Sequence, residues 1–175
     1  SATSSGLTDA LVTLSAEGDE EREIARISDI QIQALNWSPD GAKIGAWAQL
    51  RANFAAQQSI VEFDAASGER RTIYQPSGGT VLAGWAWSGP GAIVVAEAAS
   101  QSGRGGNLLR RVERGGGMPR TLLSLQYPVT WLDVAGPGRV VVGQFSPTSN
   151  LAEWALTGSA GSEPPGLAAR GVRIG

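Results

Sequence analysis

One turn sequence, Trp37-Ser38-Pro39-Asp40-Gly41, returns 50 residues later as Trp87-Ser88-Gly89-Pro90-Gly91. A degenerate copy follows 44 residues after that, as Trp131-Leu132-Asp133 with Gly136-Pro137-Gly138 behind it. A second landmark keeps the same rhythm: turn glycines at Gly18, Gly68, Gly116 and Gly161, separated by 50, 48 and 45 residues. A chain written this way repeats one supersecondary unit. Such a unit cannot bury its apolar face alone and has to stack on its neighbours, and a period of about 45–50 residues is that of propeller blades.

Each repeat reads as four short strands. In the clearest one, Ile32-Gln33-Ala34-Leu35-Asn36-Trp37 alternates apolar and polar residues, as a strand with one buried face must. Ser38-Pro39-Asp40-Gly41 then turns the chain: Pro presets φ, Asp bonds its own backbone, and Gly accepts a positive φ. Strands are predicted over 43–49, 59–64 and 69–74, with Ala65-Ala66-Ser67-Gly68 as a hairpin. The next repeat places its second, third and fourth strands at 92–97, 107–113 and 119–124, and the last uses 129–134, 140–145, 151–156 and 167–174. The first residues supply two strands only, 10–15 and 21–27, around Glu17-Gly18-Asp19. No segment carries a long helical period.

The fold class is therefore all-β: propeller blades, each a four-stranded antiparallel meander, about three and a half of them. An outer half-blade spans 1–28 and blades span 29–78, 79–126 and 127–175, all within one partial propeller domain. A half-blade leaves strand edges unpaired, and proteins normally pair or cover such edges. The chain is thus expected to be a section of a longer propeller, with completion by a partner chain as the alternative. Residues 1–175 alone are expected to aggregate, oligomerise or need a partner.

Composition narrows the chemistry. Cysteine and histidine are both absent, which excludes a disulfide framework, a zinc site of the usual Cys/His type, and any Ser-His-Asp or Cys-His catalytic arrangement within these residues. A net charge of −2 gives no reason to expect nucleic acid. The apolar stretch 81–96 is interrupted by Trp87-Ser88-Gly89-Pro90-Gly91, which reads as two strands and a hairpin and not as a membrane span. The chain starts without Met or a charged leader, so a trimmed or mature product is expected. No calcium loop, phosphate loop or paired carboxylates stand out, so neither a cofactor nor a metal is expected and the chain reads as no enzyme.

Two features are candidates for partner binding. The stretch containing Arg51, Asn53 and Phe54 is long for its place between two strands, and extended loops often carry function. Arg104, Arg110, Arg111, Arg114 and Arg120 crowd one hairpin, either to meet an anionic partner or simply as a solvated outer turn. Glu17, Asp19, Glu20, Glu21 and Glu23 form the acidic counterpart, read as a solvated hairpin. Trp37, Trp85, Trp87 and Trp131 stand near blade starts and are expected to fill the gap between stacked sheets.

The Trp37-Ser38-Pro39-Asp40-Gly41 turn, with Phe63-Asp64-Ala65-Ala66-Ser67-Gly68-Glu69 between the outer strands, resembles TolB-type, WD-repeat-like β-propellers over roughly residues 10–174. The later copies depart from the motif: Gly89 and Pro90 replace Pro-Asp, and Leu132 and Asp133 replace Ser-Pro. The resemblance implies a ring of about six to eight blades used for protein binding, of bacterial origin and leaning to the periplasm or cell envelope. The function it implies is a non-enzymatic binding or assembly scaffold. The alternative is the substrate-access propeller of a larger enzyme, such as a prolyl-oligopeptidase-type peptidase whose catalytic domain lies elsewhere. The implied partner is a protein or the remaining blades.

Overall fold

The structure, a computed structural model, describes residues 8–51, 57–77, 79–98, 107–136 and 138–145, together with the backbone of one further strand at 151–155. Every regular element among them is a strand, and every strand pair is antiparallel. The chain divides into two compact units, Ser1–Pro76 and Ser77–Gly175. The predicted strand at 167–174 lies outside the described residues.

In the first unit, β1 (Asp9–Thr13) and β2 (Arg22–Ile27) form a two-stranded sheet. Beside it, β3 (Ile30–Trp37), β4 (Lys43–Leu50), β5 (Gln58–Asp64) and β6 (Arg70–Tyr74) form a meander in sequence order. The turns work as their residues predict. Asp40 Oδ1 accepts hydrogen bonds from the Ser38 hydroxyl (2.6 Å) and the Ala42 amide (3.1 Å), and Ser38 Oγ in turn accepts from the Lys43 amide (2.9 Å). Asp64 Oδ1 accepts from the amides of Ala66 and Ser67 at 2.9 and 2.8 Å. Lys43 Nζ then reaches Asp64 Oδ2 at 2.6 Å and ties the two turns together.

The two sheets of this unit pack through Leu11 and Ile27 on one side and Ile30, Ile44, Ala46, Ala48, Val61 and Phe63 on the other. Burying a side chain such as Phe63 contributes about 1.5–3 kcal/mol. Polar clasps sit around that core: Arg70 grips Asp29 through two hydrogen bonds of 2.8 and 2.7 Å, and Arg22 Nη2 donates to the Ala66 carbonyl. Gly68 lies so close to β2 that a Cβ there would stand 2.1 Å from the Ile24 carbonyl oxygen.

In the second unit, β7 (Val81–Trp87), β8 (Ala92–Ala98), β9 (Asn107–Glu113) and β10 (Arg120–Leu125) form a second four-stranded meander. β11 (Val129–Val134), β12 (Arg139–Gln144) and β13 (Leu151–Ala155) form a three-stranded sheet. Ala86, Val94, Ala96 and Leu109 of the meander pack on Val129, Leu132, Val140 and Val142. The contact is tight at Gly84, where an added Cβ would lie 3.1 Å from Leu132 Cβ. Asn107 adds a buried polar tie by accepting the Val129 amide on Oδ1.

The repeat extends to the irregularities. Each first strand shifts register against its second, between Ile32 and Ala34, Leu82 and Gly84, and Val129 and Trp131. The last strand pair carries its own bulge: Ile24, Ile73 and Leu122 are each passed over by the partner strand. A bulge sharpens strand twist. Two bulges at repeated places therefore give successive sheets the same shape, which lets similar faces stack.

Candidate binding groove

The shared bulges align the sheets residue by residue. Trp37 pairs with Ile44 in one meander and Trp87 with Ile93 in the other, so Ile44, Ala46 and Ala48 correspond to Ile93, Val95 and Glu97. On the third strands, Val61 and Phe63 correspond to Arg110 and Val112. The bulge opposite Ile24 places β1 in the same row as β5 and β9, with Leu11 matching Ile60 and Leu109, Val12 matching Val61, and Leu14 matching Phe63. β1 and β2 are thus the third and fourth strands of a blade. Among the described residues, no strand pairs with the other edge of β1.

That edge opens onto a groove between β1 and β3. One part, of about 360 Å³, is lined by Leu11, Val12, Leu14, Leu35 and Trp37. A second part, of about 570 Å³, continues past Leu11 and Leu35 to Asp9, Ile32 and Arg51. Its apolar residues stand in solvent: Leu14 is 61% exposed, Trp37 53% and Leu35 46%. Their counterparts Phe63, Trp87 and Trp85 are buried. At one end, Arg51 forms an ion pair with Asp9 at 2.6 Å and donates from Nε to the Ile30 carbonyl at 3.0 Å. At the other lies the acidic turn, where Ser15 Oγ donates to Asp19 Oδ1 and Glu23 holds Arg26 at 2.8 Å.

The tryptophan expectation divides. Trp85 and Trp87 are buried edge to face, with ring centroids 5.9 Å apart. Trp37, at the end of β3, and Trp131, within β11, are about half exposed instead. Among the described residues, the arginines predicted for partner binding each have a partner. Arg51 closes the groove as described; Arg111 Nε donates to Glu113 Oε1 at 2.7 Å; Arg114 donates to the Pro90 carbonyl at 2.5 Å and stands 5.7 Å from the Trp87 ring centroid. Asn53, Phe54 and Arg104 lie outside the described residues.

Arg110 is half-buried beside a buried carboxylate. Its Nε lies 3.3 Å from Oε2 of Glu97, a carboxylate only 2% exposed on the face of the meander opposite Val94 and Ala96. Burial raises the Glu97 pKa above its ordinary value, more than the nearby guanidinium lowers it. Among the described residues, no group of His, Cys, Asp or Glu is placed to hold a metal, and no helix is long and apolar enough to cross a membrane. Sequence reasoning passed over Leu14 and Leu35 and assigned Trp37 to packing between sheets. Val12-x-Leu14 repeating Val61-x-Phe63 was the available signal.

No family model and no curated protein matches the chain. Solved structures do. The chain is similar to a structure in the nidogen/laminin complex at 13% identity and a TM-score of 0.60, covering 85% of this chain and 52% of that one. It is similar to a prolyl endopeptidase at 15% identity and a TM-score of 0.57, covering 85% of this chain and 22% of the enzyme. TolB from Acinetobacter baumannii matches at 13% identity over 84% of this chain and 46% of that one, with a TM-score of 0.39, too low to carry an argument about family. The chain thus spans about half, or less, of the structures it matches. Together with the meanders, these likenesses identify the fold as β-propeller blades.

Proposed function

We propose that these blades form a non-catalytic module for protein binding or assembly, of the TolB-type kind and belonging to a bacterial cell envelope or periplasm. The observation that carries the reading is the groove: an edge of β1 that no described strand pairs with, beside Leu14, Leu35 and Trp37, apolar side chains left in solvent where their counterparts are buried. Exposed edges and clustered apolar residues are how sheets recruit other polypeptides. The likeness to a propeller solved in a nidogen/laminin complex supports this use of the fold. A photo-crosslinking residue placed at Trp37 should capture a protein in the native host. Exclusive labelling of small molecules or lipid would sink the reading.

A second reading has its own support: the likeness to a prolyl endopeptidase, of which this chain would span 22%. The chain would then be the substrate-access propeller of a larger enzyme. The neighbouring coding sequence decides between the two, because a Gly-x-Ser-x-Gly nucleophile elbow in the same gene would establish the enzyme.

A further inference from the structure

We infer that the outer hairpin formed by β9 and β10 is an anion-binding surface, and that its occupant is the acidic turn between β1 and β2 of a second copy of this chain. The hairpin shares no residue with the groove. Glu62 and Arg71 are cross-strand partners in β5 and β6 and form an ion pair of 2.8 Å. The bulges at Ile73 and Leu122 put Arg111 and Arg120 in the same two places of β9 and β10, each 49 residues further on. The half-blade keeps the arginine as well, as Arg22 opposite Thr13, and there it donates to the Ala66 carbonyl. Of the three hairpins, β9–β10 alone sets one arginine directly across from another.

Cross-strand partners share a face, with Cβ atoms about 5 Å apart, so two guanidinium groups placed there repel. The exchange of glutamate for arginine gives up an ion pair that the sister hairpin makes. An anion whose oxygens bridge both groups turns that loss into a gain. The surroundings are positive too. Glu113 meets Arg111 Nε at 2.7 Å, but Arg120 is exposed and Arg114, 5.7 Å from the Trp87 ring centroid, adds a third cation at the same end of the hairpin. Approach is open: a Cβ at Gly115, Gly116 or Gly117 would meet nothing within 4 Å, and Met118 is 96% exposed.

The complementary charge is on the chain itself. The turn between β1 and β2 carries Glu17, Asp19, Glu20 and Glu21, all exposed, with no basic residue before Arg22. It joins a third strand to a fourth, as the basic turn does, so the two are the acidic and basic versions of one hairpin. Each copy carries one of each, and a basic hairpin on one copy meets an acidic turn on the next. Exposed ion pairs are individually weak and screened by salt, so the contact is weak and salt-sensitive.

Sedimentation equilibrium of the full chain tests this, with Leu14→Thr in every species to weaken association through the groove. Association is expected to fall at least tenfold between about 20 mM and about 300 mM salt, as the Debye length shortens from roughly 20 Å to roughly 6 Å. Arg120→Gln should weaken it about threefold. Arg111→Glu with Arg120→Glu should abolish it, and so should Glu20→Arg with Glu21→Arg. An equimolar mixture of these two double variants should associate again, to within about threefold of the parent, because each carries the charge that the other has lost. A parent that stays monomeric at both salt concentrations overturns the inference. So do double variants that associate as the parent does, or a mixture that stays monomeric although both variants unfold at the parent's temperature. Tight binding of inorganic polyphosphate without self-association assigns the arginines to another anion and also overturns it.

Discussion

Two glycines, on the first and third turns of one meander, separate the cost of backbone conformation from the cost of close packing. Gly41 has φ of +69° and nothing within 4 Å of where a Cβ would stand. Gly68 has φ of +75°, and its Cβ would lie 2.1 Å from the Ile24 oxygen and 3.2 Å from the Ile24 carbonyl carbon. Gly41→Ala should cost only the left-handed penalty, about 1–2 kcal/mol. Gly68→Ala incurs the same penalty and must also push the 64–69 turn about 1 Å away from β2, which adds the ~1–3 kcal/mol typical of overpacking. It further strains the Arg22 contact to Ala66 that spans the same gap. The expected totals are about 1–2 and about 2–5 kcal/mol, or melting shifts near 2–8 °C and 4–20 °C at ~2–4 °C per kcal/mol. Thermal unfolding followed by circular dichroism at matched concentration measures both. Equal shifts for the two variants would refute the claim that the outer turn of the meander is wedged against the half-blade.

Glu97 and the half-buried Arg110 invite a repacking test: Glu97→Ala alone leaves Arg110 without its carboxylate and should destabilise by about 1–2 kcal/mol, while the double change Glu97→Ala with Arg110→Val, which copies Ala48 and Val61 of the sister sheet, should be neutral or stabilising in urea titration. The pH profile has two arms of opposite sign. Glu97, with its pKa raised by burial, favours the fold fully below its ordinary value of 4.5 and loses that contribution as pH rises through the raised pKa, so Glu97→Gln should flatten that arm. Asp64, lowered chiefly by Lys43, stabilises above its ordinary value of 3.8 and loses its contribution as pH falls, so Asp64→Asn should flatten the acid arm. Light scattering should find the purified chain associated and not monomeric, and Leu14→Glu should shift it toward monomer.

The turns and strand order were legible because local chemistry sets them. Asp40, Gly41, Asp64 and Gly68 announce their turns, and residues 129–134 were read as the strand the structure shows. The burial of individual residues was less legible. Leu35 and Trp37 alternate like core residues, and only the pairing pattern shows that no described strand lies on the open edge of β1 to help cover them. Arg110 and Arg111 looked alike in a basic hairpin, but a strand sends adjacent residues to opposite faces, and only Arg110 shares a face with Glu97, as its diagonal neighbour. The partner of Arg110 is 13 residues away in sequence and adjacent only through the β8–β9 register.

A chain of similar repeats faces a hazard that irregular folds do not: a sheet can stack on the wrong sister and become trapped there. The faces bearing Ala46, Ala48 and Val61 and bearing Val95, Glu97 and Arg110 hold equivalent places. One is purely apolar and the other carries a buried carboxylate that tolerates few surroundings. An exchange of neighbours that would be almost free between two apolar faces becomes unfavourable for this one. Glu97 is then expected to give up local stability in return for specificity of packing. On this logic the double variant that removes it should unfold at higher denaturant yet refold with more misassembled product.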